Sequence, residues 1–283
     1  MPEDTLRHAQ LVVVGAGPGG YAAAFAAADR GIQTVIVDAD PQPGGVCLNR
    51  GCIPSKALLH VARLISETRE AAAWGVSFGE PNIDLDALRK WKDAVIGKNA
   101  GGVRQLAKSR GVEIIRAWAR FENSQTLLLA SANGGALGGG HPCPPSSSRA
   151  SPLADEKHAV ADLGRLTYDH CILAVGSRPA VIPSLNLDSP RVMDSTSALE
   201  LPDVPRSLLV VGGGYIGLEM GTVYAALGSE VAVVEMTDGL LPGADRDLVR
   251  VLQNRLKQTF KQILLSTKVA QMSDAGSGIA VRF

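Results

Sequence analysis

The fold of this chain is decided by residues 11–20, which read LVVVGAGPGG. The four apolar residues at its start predict a buried parallel strand. The strand runs into Gly15, Gly17 and Gly20, which have the spacing Gly-x-Gly-x-x-Gly. An alanine-rich helix and a second apolar strand, which ends in Asp38, follow. Strand, glycine turn, helix and strand in this order predict a unit that binds a dinucleotide, and a purely structural glycine turn is the alternative interpretation.

The same design recurs in the second half of the chain. Residues 208–211 form another short apolar run, Gly212 opens a second Gly-x-Gly-x-x-Gly turn, and a later apolar run ends in Glu235. Gly15 and Asp38 are 23 residues apart, and so are Gly212 and Glu235. One such turn is weak evidence, whereas two copies with matched spacing to an acid favour two nucleotide-binding units.

Elementary chemistry assigns a role to each part of such a turn. The first glycine makes the tight turn, the second lets the backbone approach a pyrophosphate, and the third lets the helix pack closely on its strand. The helix N-terminus offers unpaired N–H groups and a partial positive charge to the phosphates. The acid after the second strand can accept hydrogen bonds from ribose hydroxyls.

Composition and charge narrow the class of protein. The 283 residues are 46% hydrophobic and 20% charged, which excludes wholesale disorder and allows about two domains. Lys plus Arg and Asp plus Glu both number 28, so the chain lacks the basic excess of a nucleic-acid binder. The uncharged run at 11–28 is rich in glycine and alanine and has no basic leader, so we expect no membrane segment and a cytoplasmic location.

Between the two turns the sequence predicts two amphipathic helices and an insertion. The first helix has an apolar face at Leu58, Val61, Ala62 and Ile65. The second helix, from about Leu85 to Lys108, has an apolar side at Leu88, Trp91 and Val95. Glycine, proline and serine make up 14 of the 22 residues from 131 to 152, which predicts a flexible insertion at about 131–163. We expect one domain at 1–179, with this insertion, and a second at 180–283.

The segment GGVCLNRGCIPSK at 44–56 carries two of the four cysteines. Cys47 and Cys52 are five residues apart, about 7.5 Å of axial rise in a regular helix, whereas bridged Cα atoms lie within about 7 Å. A disulfide between them needs a distorted turn, which Gly51 permits, and a strained disulfide is easily reduced. Two reduced core cysteines, half of a zinc site or an incidental pair are the alternatives that the spacing leaves open.

The same segment resembles the redox-active disulfide motif of the flavin-dependent pyridine nucleotide–disulfide oxidoreductases, and among them of the dihydrolipoamide dehydrogenases. The resemblance extends to AVGSRP at 174–179, DST at 194–196 and GGGYIGLE at 212–219. It implies two Rossmann-like, FAD- and NAD(P)-binding domains of α/β class. It also implies the oxidation of dihydrolipoamide by NAD, as a component of 2-oxoacid dehydrogenase complexes.

The resemblance also implies a set of site residues. Those that it places around FAD are Gly15, Gly17, Pro18, Gly20, Asp38, Gly45, Lys56, Ala119, Gly176, Ser177 and Arg178. Those that it places around NAD are Gly212, Gly214, Tyr215, Ile216, Gly217, Glu235 and Val269. No metal is expected.

Four residues carry the implied chemistry. Cys47 is the thiol that exchanges with the substrate disulfide, and Cys52 is its partner on the flavin side. Lys56 lies beside the flavin and pairs with Glu219. A solvated surface lysine and an ordinary helix charge are the alternative interpretations of the last two.

The sequence also departs from the family pattern. Arg50 stands between the cysteines, where a small apolar residue is usual, and the chain stops at Phe283, so a C-terminal dimerisation domain with its His–Glu base is expected to be absent. A catalytically incompetent FAD- and NAD-binding remnant, or another disulfide reductase of the family, is therefore the competing hypothesis. The implied partners are the lipoyl domain of a dihydrolipoyl acyltransferase and, in the full-length family, a second copy of the chain. No nucleic acid and no membrane are expected.

Overall fold

The computed structural model describes residues 6–132 and 162–283 and has the expected α/β class. Its strands are β1 Leu6–Val14, β2 Thr34–Asp38, β3 Glu113–Asn123, β4 Thr126–Ser131, β5 Asp162–Leu173, β6 Ser207–Val211, β7 Glu230–Val234, β8 Gln262–Leu264, β9 Gln271–Asp274 and β10 Ile279–Arg282. Its α-helices are α1 Pro18–Ala28, α2 Gly45–Arg50, α3 Cys52–Glu70, α4 Leu85–Ser109, α5 Ser195–Glu200, α6 Tyr215–Leu227 and α7 Arg246–Thr259. Most of the expected insertion at 131–163, with Cys143, lies outside the described residues.

Two compact units make up the chain. The first contains residues 1–49 and 96–178, and the second contains residues 50–95 and 179–283. The expected boundary between two domains at residue 179 stays a prediction. Residues 50–95 pack within the second unit. The reason is the apolar face of α3, which shares a core with α6.

The first unit is built on one closed sheet. β1 pairs in parallel with β2 on one side and with β5 on the other, and β3 pairs in parallel with β2. β4 is antiparallel to both β3 and β5 and so closes the sheet. Its interior is the apolar cluster of Ala9, Val12, Val35, Val37, Ala117, Leu127, Leu129, Leu166 and Tyr168. This packing leaves the carboxyl ends of β1 and β2 side by side, where the first glycine turn begins.

The second unit has a three-stranded parallel sheet in the order β6-β7-β8 and a separate hairpin of β9 and β10. Helix α6 follows β6 and leads to β7, so these three elements repeat the arrangement of β1, α1 and β2. Tyr224 is completely buried, and its hydroxyl donates to the carbonyl oxygen of Ala198 at 3.0 Å. Burial raises the pKa of Tyr224 to about 12, with a smaller contribution from Asp203. The phenol therefore stays neutral and acts as a core residue.

The helix of each repeat is followed by a glycine with a left-handed φ. Helix α1 ends at Ala28, and Gly31 follows with φ +80°. Helix α6 ends at Leu227 with Gly228 as its cap at φ +119°. On α3, the side chains of Leu58, Ala62 and Ile65 are buried as expected, and Val61 is half-buried.

The expected apolar side of α4 is wrong at one position. Trp91 is 41% exposed, whereas its neighbour Lys92 is 6% exposed. The Lys92 ammonium donates to the carbonyl oxygen of Leu199 at 2.9 Å and lies 3.2 Å from the Asp93 carboxylate. The aliphatic stem of a lysine can be buried when its charged end finds such partners. The buried face of α4 therefore includes a lysine that apolar periodicity cannot identify.

None of the helices in the described segments combines the length and apolar character that a membrane crossing needs.

Candidate dinucleotide turns and thiol pair

The first glycine turn follows β1 and admits only glycine at two of its positions. Gly15 has a left-handed φ of +106°, and its N–H donates to the carbonyl oxygen of Val37 at 2.8 Å. A Cβ atom on Gly15 would overlap the backbone of Ala174, and one on Gly20 would overlap the carbonyl oxygen of Gly15. The chain therefore turns as tightly here as the Gly-x-Gly-x-x-Gly spacing predicts.

Helix α1 begins in this turn without a side-chain cap. Gly17 is its N-cap residue, and Pro18 occupies the first helical position. Gly45 lies directly against Gly17, since a Cβ atom on Gly45 would be 2.7 Å from the Cα atom of Gly17. The N–H of Gly44 also donates to the carbonyl oxygen of Ala16 at 2.8 Å. The result is a backbone-lined helix N-terminus that suits an anion.

The acid at the end of β2 holds the turn. Asp38 accepts a hydrogen bond from the N–H of Ala16 at 2.5 Å through Oδ2, and one from the N–H of Asp40 at 2.7 Å through Oδ1. Asp38 therefore ties the end of β2 to the backbone of the glycine turn.

The second turn repeats this geometry. Gly212 again has φ +106°, and its N–H donates to the carbonyl oxygen of Val234 at 2.8 Å. A Cβ atom on Gly217 would lie 2.6 Å from the carbonyl oxygen of Gly212. Glu235 accepts from the N–H of Gly213 at 2.6 Å, as Asp38 accepts from Ala16. Helix α6 likewise begins without a side-chain cap.

Glu235 is buried, with 6% of its surface exposed. Its Oε1 accepts from the N–H of Thr237 at 2.7 Å and from the Thr237 hydroxyl at 2.9 Å. Burial raises the pKa of the Glu235 carboxyl, but the hydrogen bonds from Thr237 and Gly213 together outweigh burial and hold this pKa below its usual value. The second turn therefore contains a carboxylate that stays negative at neutral pH.

The cysteines of the 44–56 segment lie on consecutive helices. Cys47 is on α2, and Cys52 begins α3 after Gly51, whose φ and ψ of −147° and −107° break the helix. The helical path is therefore interrupted at Gly51. Cys52 is exposed and Cys47 is half-buried, and both are thiols rather than half-cystines in this structure. The reducible disulfide between them stays a prediction.

The first turn of α3 brings Lys56 to Glu219. The Lys56 ammonium lies 2.7 Å from Oε1 of Glu219 and 3.3 Å from the Ser55 hydroxyl. The Ser55 hydroxyl in turn donates to the carbonyl oxygen of Cys52 at 3.1 Å. The structure thus joins the two charged residues that the resemblance paired.

The other residues predicted to contact FAD or NAD differ in their exposure to solvent. Gly176 has φ +73° and, with Ser177 and Arg178, forms an exposed segment after β5. Ala119 is half-buried on β3 opposite Leu129. At the start of α6, Tyr215 is 67% exposed and Ile216 is 44% exposed. Val269 is buried, with 7% of its surface exposed. Their contacts with nucleotides stay predictions.

A profile of the pyridine nucleotide-disulphide oxidoreductase family matches residues 9–282. The chain belongs to this family. Two relatives named dihydrolipoyl dehydrogenase, from Haemophilus influenzae and Vibrio cholerae, are 45% and 43% identical to it. Each alignment covers 96% of this chain and 51% of the relative. The chain thus spans about half the length of the curated relatives it matches.

LpdA and RclA are two of the solved proteins whose fold is similar to that of this chain. LpdA from Mycobacterium tuberculosis matches with a TM-score of 0.77 and 23% identity, over 97% of this chain and 55% of that one. The HOCl-induced flavoprotein disulfide reductase RclA from Escherichia coli matches with a TM-score of 0.74 and 24% identity, over 98% and 53%. At such identities the likeness concerns the fold alone. Members of the pyridine nucleotide-disulphide oxidoreductase family use FAD and NAD(H).

Three residues that hydrogen-bond the acids of the glycine turns were not predicted from the sequence. Ala16 and Gly213 occupy the second position of each glycine motif and supply the N–H that the acid accepts. Each of these amides is 22 residues before its acid, so the matched spacing contained a signal for the pair. Thr237 was missed because its contribution to Glu235 comes from the following loop.

The third thiol of the described residues is Cys171. It is half-buried on β5, and burial raises its pKa. Within residues 6–132 and 162–283, no three His, Cys, Asp or Glu side chains are grouped so that they could hold a metal ion.

Proposed function

We propose that this chain carries the FAD-binding, NAD-binding and dithiol parts of a dihydrolipoyl dehydrogenase. The observation that carries the proposal is the pair of equivalent glycine turns, each held by an acid 22 residues after the hydrogen-bonded amide. A single turn would fit many nucleotide-binding proteins. Two such turns, with Cys47 and Cys52 following the first one in the sequence, fit the family and its relatives.

The first unit fits FAD. Gly17 places no side chain beside the uncapped N-terminus of α1, where a pyrophosphate would bind, and Gly45 adds a second glycine surface next to it. Gly15 and Gly20 allow the tight turn and the close packing of α1. Asp38 ends β2 at the position where the acid of such a unit contacts the adenosine ribose. Further contacts proposed for FAD involve Pro18, Lys56, Ala119, Gly176, Ser177 and Arg178.

The second unit fits NAD better than NADP. The Glu235 carboxylate is buried and stays ionised at neutral pH, so it would repel a 2′-phosphate while accepting a bond from a 2′-hydroxyl. Further contacts proposed for NAD involve Gly212, Gly214, Tyr215, Ile216, Gly217 and Val269.

The proposed reaction moves two electrons from a dithiol substrate to NAD. A substrate thiolate attacks Cys47 of a Cys47–Cys52 disulfide, which forms a mixed disulfide and releases Cys52 as a thiolate. The second substrate thiolate attacks the substrate sulfur of the mixed disulfide and releases Cys47. The substrate leaves as a cyclic disulfide, having lost two electrons and two protons. Bound FAD supplies the two-electron carrier between this thiol pair and NAD, and one proton is released with NADH.

Lys56 and Glu219 support the proposed electron transfer through charge. Lys56 follows Cys52 by one helical turn, so its ammonium group lies on the same end of α3 as that thiol. Glu219 holds the ammonium through the 2.7 Å ion pair. We propose that this pair sets the charge beside the flavin ring.

For the whole protein we propose the setting of the dihydrolipoyl dehydrogenases. Its electron donor is the lipoyl domain of a dihydrolipoyl acyltransferase in a 2-oxoacid dehydrogenase complex. The protein acts in the cytoplasm as a homodimer. The names and identities of the relatives support these proposals.

Spectroscopy on the purified chain tests the nucleotide sites. Titration of the chain into FAD should change the fluorescence of the flavin as FAD binds. Asp38→Asn should weaken FAD binding without changing the far-UV circular dichroism spectrum. NADH should bind independently of FAD and more tightly than NADPH. A folded chain that binds neither nucleotide would contradict the proposal, and equal binding of NADH and NADPH would contradict the role of Glu235.

A further inference from the structure

Arg246, the first residue of α7, binds the loop that precedes it. We call residues 236–244 the 236–244 loop. The Arg246 guanidinium donates from Nη1 to the carbonyl oxygen of Leu240 at 2.9 Å and from Nη2 to that of Leu241 at 2.7 Å. Nε and Nη2 also donate to the carbonyl oxygen of Ala244 at 3.0 and 2.7 Å. Four hydrogen bonds from one planar group thus hold three carbonyls of the loop in place.

The 236–244 loop in turn holds the second glycine turn. The N–H of Leu241 donates to the carbonyl oxygen of Gly213 at 2.9 Å. Leu240 is completely buried, and its Cδ2 atom lies 2.6 Å from where a Cβ atom on Gly213 would be. The loop therefore contacts Gly213 through a hydrogen bond and through side-chain packing.

The same loop also holds the acid of the turn. The Thr237 hydroxyl donates to Oε1 of Glu235, and it lies 2.9 Å from the carbonyl oxygen of Gly239. The opposite oxygen of Glu235 accepts from Gly213 at 2.6 Å. Arg246, the loop, Gly213 and Glu235 thus form one continuous network within the second unit.

Helix stability does not explain an arginine at this position. A positive charge in the first turn of a helix is unfavourable, because the N-terminus of the helix carries a partial positive charge. The side chain of Arg246 turns back to the loop, and a Cβ atom on Gly239 would overlap its Nη1 atom. The 236–244 loop and the guanidinium group of Arg246 therefore pack closely against each other.

We propose that Arg246 is a positioning residue for the pyridine nucleotide, acting through the 236–244 loop on Gly213 and Glu235. This inference rests on the proposed binding of NAD to the second unit. The loop orders the amides of the glycine turn and the carboxylate before the nucleotide arrives. Ordering a site in advance lowers the entropic cost of binding. Arg246 thereby contributes both to affinity and to the preference for a 2′-hydroxyl, without touching the nucleotide.

The test compares Arg246→Met and Arg246→Lys with Arg250→Met in the full chain. Lysine keeps the positive charge but lacks the planar guanidinium group. Arg246→Lys therefore separates the effect of the charge from the effect of the hydrogen-bonding geometry. Arg250 is exposed one turn further along α7 and serves as the matched control. Backbone hydrogen exchange measures the order of the loop and turn without nucleotide, and equilibrium titration gives the Kd for NADH and for NADPH.

We expect both Arg246 variants to speed exchange at the amides of Gly213, Thr237 and Leu241, and Arg250→Met to leave it unchanged. The Kd for NADH should rise about tenfold, the scale of one lost hydrogen bond. The Kd for NADPH should rise less, because a less ordered Glu235 also repels the 2′-phosphate less. A general loss of structure would instead weaken both nucleotides together and speed exchange throughout the second unit.

Two results would overturn the inference. One is exchange at Gly213 and Thr237 that stays at the parent rate in Arg246→Met. The other is faster exchange with an unchanged ratio of the two dissociation constants. If the parent chain itself binds neither NADH nor NADPH, the proposed function of the second unit fails and the nucleotide role of Arg246 fails with it, whatever the exchange rates show about the loop.

Discussion

Lys56 on α3 and Glu219 on α6 are 163 residues apart in the sequence, and their side chains meet at an Nζ–Oε1 distance of 2.7 Å. The lysine side chain is 58% exposed and the glutamate side chain 24% exposed. Because solvent screens such a pair, its contribution to stability is small. The ion pair therefore fixes the position of the Lys56 charge and contributes little to the free energy of unfolding.

We expect Lys56→Met and Glu219→Gln each to change the free energy of unfolding by less than about 1 kcal/mol. A double-mutant cycle in urea would give a coupling energy of the same size, with the double variant as its internal control. Flavin bound to Lys56→Met should nevertheless show a shifted absorption spectrum. A coupling energy above about 2 kcal/mol would show instead that the pair is a structural element.

Gly20→Ala should destabilise the first unit by about 1–3 kcal/mol or prevent its folding, because the added methyl group overlaps the carbonyl oxygen of Gly15. Gly19→Ala is the matched control. It is exposed on the same helix, has nothing within 4 Å of its added Cβ atom, and should stabilise α1 slightly because alanine favours helix. Thermal unfolding followed by circular dichroism gives the unfolding temperatures of the two variants, and Gly20→Ala should have the lower one. Equal unfolding temperatures would show that the turn can open to admit a side chain.

Glu235→Gln should lower the free energy of unfolding at pH 7 by about 1–3 kcal/mol, because a buried amide replaces an acceptor for the N–H groups of Gly213 and Thr237. Since the folded-state pKa of Glu235 is depressed, its stabilising effect is complete above the unfolded value of about 4.5. It is lost as pH falls through the lower folded-state pKa.

Urea unfolding at pH 7, 5 and 3 measures this dependence. The stability difference between the parent and Glu235→Gln should be the same at pH 7 and 5 and smaller at pH 3. Glu200→Gln, an exposed carboxylate of the same unit, is the control and should show little difference at any pH. A difference that grows as the pH falls would contradict the depressed pKa.

Alkylation should distinguish Cys171 from Cys52 in the reduced chain. Cys52 is exposed, whereas Cys171 is half-buried, and burial raises the pKa of Cys171, so it is less accessible and less ionised than an ordinary cysteine. Iodoacetamide labelling, read by peptide mass, should modify Cys52 at least about tenfold faster. After mild oxidation, Cys47 and Cys52 should both resist labelling until a reductant is added. A Cys171 that labels as fast as Cys52, or that pairs with Cys47 on oxidation, would contradict the assignment of the redox pair.

The two strand–turn–helix–strand units are predictable from sequence, because their signals are local. A left-handed φ at Gly15 and Gly212, close packing at Gly20 and Gly217, and short apolar runs before and after them all act within a few residues. The residue types needed for such a turn are therefore readable from the chain. The family resemblance, rather than spacing, supplied the pairing of Lys56 with Glu219.

Only the tertiary structure decided which distant groups satisfy each polar residue. Lys92 is buried because it finds the carbonyl oxygen of Leu199, 107 residues away, and no apolar periodicity on α4 marks that partner. Residues 50–95 join the second unit because α3 shares a core with α6, and Arg246 reaches the glycine turn only through a loop whose path is irregular. A sequence pattern describes one face of one element, whereas burial and hydrogen bonding depend on what packs against that face.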